Sequence, residues 1–183
     1  GGNINLKPET SNDLQFNAAY RPNDNLTYRI ELFDTQIENL IEYDFATDKM
    51  LNIGEASMRG MQLSYNFINE KYSIRADYIN QKAKNDINKT LLLRRPKQSI
   101  TLNIIRKLQN IDFGLSLLAS GERKDFGVTL PGYAIINLTG QFKLNEKWTV
   151  NTQIENILDK HYETAATYRM QGRSVFIDIT HRW

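Results

Sequence analysis

The sequence contains no cysteine in 183 residues. That removes disulfide scaffolds, thiol catalysis and Cys-based metal sites together. Histidine is scarce, and neither sign of charge dominates: 23 basic and 21 acidic residues leave a formal charge of +2, scattered without a long like-charged block. Nucleic acid therefore finds no electrostatic footprint. No run approaches the roughly 18 consecutive apolar residues of a spanning helix, which excludes a helical membrane protein and leaves a β-barrel open. No Gly-rich phosphate loop, Ser/His/Asp grouping or His-rich zinc motif occurs, and acid pairs such as Glu31 and Asp34 have no definable cleft, so neither an enzyme nor a cofactor is indicated. The opening GGNINLKPET lacks the basic and apolar regions of a signal peptide, so a mature chain or a piece of a longer one is expected.

What is present is a two-residue alternation that recurs along the chain. It runs through Leu14, Phe16, Ala18 and Tyr20, then Leu26, Tyr28, Ile30 and Leu32, then Met61, Leu63, Tyr65 and Phe67. It continues through Tyr72 to Tyr78, Ile100 to Ile104, Ile111 to Leu117, Ile136 to Leu144 and Trp148 to Ile154, and closes with Val175, Ile177, Ile179, His181 and Trp183. These are nine amphipathic strand candidates, each long enough with its flanks to cross a bilayer in about 9–11 residues.

The connections alternate too. Segments 22–25, 68–71, 107–110 and 144–147 are short and polar, whereas 45–51, 84–93, 121–131 and 157–172 are long. All short connections then fall at one end of an up-and-down sheet, which is the asymmetry of an outer-membrane barrel with tight periplasmic turns and long extracellular loops. At the short-turn end of the apolar face stand Tyr20, Tyr28, Phe67, Tyr72, Phe113, Phe142, Trp148 and Trp183. A single level of rings is expected of a membrane-interface girdle, whereas a β-sandwich places aromatics anywhere along its core face.

The opposite face carries Arg29, Glu31, Arg75, Asp77, Asn103, Asn137, Gln141, Asn151, Glu155, Asp178 and Arg182. So polar a face suits a lumen better than a packed core. Nine up-and-down strands leave the first and last parallel, while single-chain bacterial barrels close with an even number. The fold class expected is therefore all-β: an antiparallel transmembrane β-barrel in which residues 1–183 are about nine C-terminal strands of a larger one.

The segments NINLKPETS, NIGEASMRGMQLSYNF, LLLRRPKQSITLN, LPGYAIINLTGQFKLNEKWTV and ENILDKHYETAATYRMQGRSVFIDI resemble the last strands of TonB-dependent outer-membrane receptors. Within that family LLLRRPKQ and NILDKHYETAATYRMQGR are most similar to the cobalamin transporter branch, and also occur in siderophore and haem receptors. The resemblance implies a barrel of about 22 strands with a plugged lumen, a multi-pass place in the bacterial outer membrane, and active uptake of cobalamin or a similar large scarce chelate. A siderophore or haem receptor, or a passive porin-like channel, is the alternative. It also implies partners: the TonB complex through an N-terminal region with plug and TonB box that has no counterpart here, outer-membrane lipid and lipopolysaccharide, and the barrel assembly machinery. That machinery would read a terminal strand of Val175, Ile177, Ile179 and Trp183.

For an amide-bearing ligand the loop candidates are Tyr43, Asp44, Asn85, Asp86, Asn88, Arg123, Lys124, Tyr162, Tyr168 and Arg169. His161 and His181 are isolated and make no metal or haem motif. Arg94, Arg95 and Lys97 around Pro96 are expected to meet lipopolysaccharide phosphates or loop acids. Asn-x-Thr triplets at Asn25, Asn88 and Asn137 carry no glycosylation meaning in such a setting.

Overall fold

Residues 3–44 and 46–183, apart from the Ile53 side chain, are described by a computed structural model. Phe45, where the first long connection is expected to begin, and the two leading glycines lie outside the described residues.

Asparagines set three of the four short turns. The Asn23 side chain accepts the Asn25 amide at 3.0 Å, Asn69 accepts those of Lys71 and Tyr72 at 2.9 and 2.7 Å, and Asn145 accepts those of Lys147 and Trp148 at 3.0 and 2.9 Å. A side chain that mimics a backbone turn in this way reverses the chain within a few residues. The strands so joined are β1 (Thr10–Asn23), β2 (Leu26–Asp44), β3 (Lys49–Ile68), β4 (Tyr72–Asn85), β5 (Gln98–Lys107), β6 (Ile111–Ser120), β9 (Tyr133–Lys143), β10 (Trp148–Glu155) and β13 (Ser174–His181). They form one nine-stranded antiparallel sheet in chain order. Between them lie two hairpins, β7 (Arg123–Asp125) with β8 (Val128–Leu130), and β11 (Glu163–Ala165) with β12 (Tyr168–Arg169).

Register keeps the alternation in phase from edge to edge. Tyr20 pairs with Tyr28 and Tyr28 with Tyr65; Leu115 pairs with Leu138 and Leu138 with Ile154, which pairs with Val175. The apolar face is therefore continuous, and no second sheet of comparable size covers it among the described residues, which rules out a sandwich. Leu14 is 76% and Ile177 68% exposed. The buried apolar side chains are Ala56, Ala83, Leu130 and Ile135; the three in the sheet belong to the polar face near its long-loop end, and Leu130 lies in β8.

Aromatic rings meet across the strands at the short-turn end. Tyr20 stacks on Tyr28 at 6.4 Å, Tyr28 meets Tyr65 edge-on at 5.5 Å, and Phe113 meets Phe142 at 6.0 Å. Arg106 lies 5.3 Å over Tyr72, its cross-strand partner. At the far edge His181 is 4.3 Å from Trp148 and 4.8 Å from Trp183.

Three expectations change. The terminal strand ends at His181 and does not reach Trp183, although the Arg182 amide still reaches the Lys147 carbonyl at 2.9 Å. The 45–51 connection is shorter than its sequence suggests, because β3 already begins at Lys49. A bulge at Ile37–Leu40, with Asn39 at φ 57°, lets β2 and β3 run on as a ribbon beyond their neighbours. Finally, 121–131 and 157–172 are not plain loops, since each folds into its own hairpin.

Candidate functional site

Cross-strand hydrogen bonds link neighbouring side chains on the polar face. Asp77 accepts from Ser64 at 2.6 Å and from Arg75 at 2.9 Å. Gln141 donates to Asn151 at 2.9 Å, and Asn151 donates to Asp178 at 3.1 Å, so three strands share one relay. Asn137 donates to Ser116 at 3.2 Å and accepts the Asn156 amide at 2.8 Å. These groups satisfy one another sideways while still facing the concavity, as a water-lined or plugged wall requires. A depression of about 360 Å³ lies among them, lined in part by Gln141, Asn151 and Asp178.

At the long-loop end one carboxylate joins three loops. The Asp125 side chain is 0% exposed. It accepts from Arg94 Nε at 3.0 Å, from the Phe126 amide at 3.0 Å and from the Ala166 amide at 2.6 Å. Burial pushes this carboxyl up, but the Ala166 and Phe126 amides and Arg94 outweigh it and hold the group below the usual carboxylate range. Arg94 also lies 5.3 Å over the Phe126 ring, and its amide donates to the Lys124 carbonyl at 2.7 Å.

Arg123 makes the second junction. Its Nε donates to the Thr164 carbonyl at 3.3 Å, its Nη2 donates to the Glu163 carbonyl, and its guanidinium lies 5.1 Å over Tyr133. Tyr133 in turn packs on Tyr162, with ring centroids 4.5 Å apart. Burial, then Tyr133 and Glu155, push the Tyr162 phenol above its ordinary value.

The chain reaches this junction through Asn156, which is buried and left-handed at φ 49°. Its side chain accepts the Lys160 amide at 2.8 Å and donates to the Lys160 and Gln171 carbonyls at 2.9 and 3.3 Å. Asp159 accepts the Arg173 amide at 2.8 Å and closes the base of the hairpin.

Of the candidates named from sequence, the structure brings Arg123 and Tyr162 together, with Tyr133 between them. Arg169 lines a cavity with Tyr162, and Tyr168 stands exposed at the hairpin tip. Lys124 donates to Thr129 across β7–β8 at 2.6 Å. The remainder brace their own turns. Tyr43 donates to Asp48, and Asp44 accepts from Thr47 Oγ1 at 2.6 Å. Asn85 accepts the amides of Ile87 and Asn88, and Asn88 accepts from Thr90. Asp86 pairs with Lys84 at 2.7 Å, which holds its carboxyl below the usual range. Arg94 meets a loop acid, one of the two outcomes expected for it. Asp125, Tyr133 and Asn156 were not among the candidates. Asn156 and Asp159 had a signal in the NILDKHY segment, whereas nothing local marks Asp125.

Residues 1–157 match the family model described as "TonB dependent receptor-like, beta-barrel". Among solved structures, the chain aligns with the ferric-catecholate import receptor Fiu from K12 E. coli at a TM-score of 0.77 and 19% identity, covering 98% of this chain and 28% of that one. It aligns with the copper transporter OprC at 0.81 and 16% identity, covering 97% and 32%. The ferripyoverdine receptor of the outer membrane of Pseudomonas aeruginosa gives 0.79 and 14%, covering 96% and 27%. At these identities the likeness is one of fold, and the chain spans less than a third of each structure's length.

Proposed function

The chain belongs to the TonB-dependent receptor β-barrel family, whose place is the bacterial outer membrane, and from that premise we propose that it forms wall and ligand-facing loops of an energy-coupled uptake receptor for a large metal chelate. The observation that carries this reading is the two-faced sheet in register. Its outward face is apolar and exposed from Leu14 to Ile177, its inward face is hydrogen-bonded and polar, and loops pinned by Asp125 and Arg123 stand over one end. The family is one of transport receptors rather than enzymes.

The chelate is cobalamin, as the LLLRRPKQ and NILDKHY segments suggest, or a ferric siderophore, as the names of structural neighbours suggest. The experiment is uptake in cells that carry or lack the gene encoding this chain, with labelled cobalamin and labelled ferric catecholate, before and after collapse of the inner-membrane proton gradient. Gene-dependent, gradient-dependent uptake of one of them supports the reading and assigns the branch. Gradient-independent leakage of small solutes with uptake of neither chelate overturns it in favour of a porin-like channel.

A further inference from the structure

On the outward face the tyrosines near the short turns do not form an unbroken wall. Tyr20, Tyr28, Tyr65 and Ala76 are successive register partners across β1 to β4, so the row of rings stops at a methyl group. The next row towards the middle of the sheet runs Ala18, Ile30, Leu63 and Tyr78, with its small residue at the opposite end. Both rows line one open, almost wholly apolar groove of about 570 Å³. Ring contacts of Tyr28 with Tyr20 and with Tyr65 stiffen its turn-side wall. The Tyr78 hydroxyl accepts from Asn80 at 3.3 Å, whereas those of Tyr20, Tyr28 and Tyr65 have no hydrogen-bond partner among the described residues.

The family sits in the outer membrane with its short turns on the periplasmic side, so this face meets hydrocarbon. Lipid tails are as apolar as leucine, and hydrophobicity alone selects no partner there; packing and hydrogen bonds do. Rows on one face of a strand stand roughly 7 Å apart. That spacing admits a single hydrocarbon chain and not a helix of about 10–12 Å diameter. Left unfilled, the groove would deprive its rings of dispersion contacts on one side. The three unpartnered hydroxyls belong to the row nearer the turns, at the depth where a tyrosine's polar edge meets headgroup oxygens.

We propose that this groove holds one acyl chain of a periplasmic-leaflet glycerophospholipid, with Tyr20, Tyr28 and Tyr65 donating to its ester or phosphate oxygens. The lipid is then a bound partner of fixed position, distinct from the fluid lipid around the rest of the wall. The site depends on the place of the family in the outer membrane and not on which chelate is taken up.

The test is photolabelling of the whole receptor containing this chain, in phosphatidylethanolamine vesicles with a trace of the same lipid bearing a diazirine on one acyl chain, and mapping of the labelled peptides by mass spectrometry. Labelling of 18–30 and 63–78 is expected to exceed severalfold that around Leu115 and Leu138, which share the apolar face. Ala76→Trp fills the groove and should bring the two regions level, with the barrel still heat-modifiable. A triple variant, Tyr20→Phe, Tyr28→Phe and Tyr65→Phe, keeps every ring and should lower groove labelling severalfold. Equal labelling of the two regions in the parent, or an Ala76→Trp variant labelled as the parent is, overturns the site. A triple variant labelled as the parent is overturns the part given to the hydroxyls. Denser groove labelling by a diazirine-bearing lipid A in a parallel sample overturns the phospholipid assignment in favour of lipopolysaccharide.

Discussion

Arg94 and Asp125, thirty-one residues apart in sequence, meet at 3.0 Å, and the same carboxylate takes the Ala166 amide a further forty-one residues on. Three loops therefore share one buried acceptor. Replacing Asp125 by Asn leaves at least one of its donors unsatisfied. We expect a local cost of about 1–3 kcal/mol, read as faster hydrogen exchange in 123–130 and 163–169 with no change in β4 to β6. Unchanged exchange in both hairpins would show that Asp125 joins nothing.

The same group sets a pH dependence. Its folded pKa lies below the unfolded value of about 3.9, so its contribution is fully present above that value and is lost as pH falls through the lower folded one. The protection factor of 163–169, which removes the intrinsic pH dependence of amide exchange, should stay level from neutral pH to about pH 4 and fall only below it. A fall that begins near about pH 6 would mean that a different group governs the hairpin.

Leu138 pairs with Leu115 on one side and Ile154 on the other, within the continuous apolar face. Leu138→Arg should lower barrel stability by roughly 2–4 kcal/mol if that face meets the membrane midplane. Denaturant unfolding in lipid vesicles measures it, and an unshifted midpoint would mean that the two faces are reversed.

Gly60 faces Phe33 across β2 and β3. A Cβ there would stand 2.8 Å from the Phe33 ring and 2.9 Å from Gln81 Cα, with the Asn80 carbonyl closer still. Backbone cannot move aside as a flexible side chain can, so Gly60→Ala should destabilise by about 1–3 kcal/mol. The same unfolding assay reads it, and a neutral result would refute the close approach.

Trp183 lies beyond the last strand and touches His181, which touches Trp148. Trp183→Ala should reduce the amount of heat-modifiable barrel in the outer membrane if, as the family resemblance implies, an assembly machinery reads this segment. Normal levels of assembled barrel in the variant would remove that role.

The alternation of Leu14, Phe16 and Tyr20, or of Val175, Ile177 and Ile179, was legible because a strand between lipid and a polar interior repeats the same demand every second residue. The short turns were legible for a similarly local reason: an asparagine two or three residues from the amides it caps carries its own geometry. Nine strands and two faces follow from such short-range rules, and the family resemblance rested on the same segments. The loops obey no such period. Asp44, Asn85 and Asn88 look like ligand groups in the sequence but brace turns once folded, while Asp125 becomes a hub through partners thirty-one and forty-one residues away. Which charges a loop keeps for a ligand depends on where the hairpins land on one another. That was decided only by the tertiary structure, since the separation of partners along the chain exceeds the range over which a sequence pattern constrains geometry.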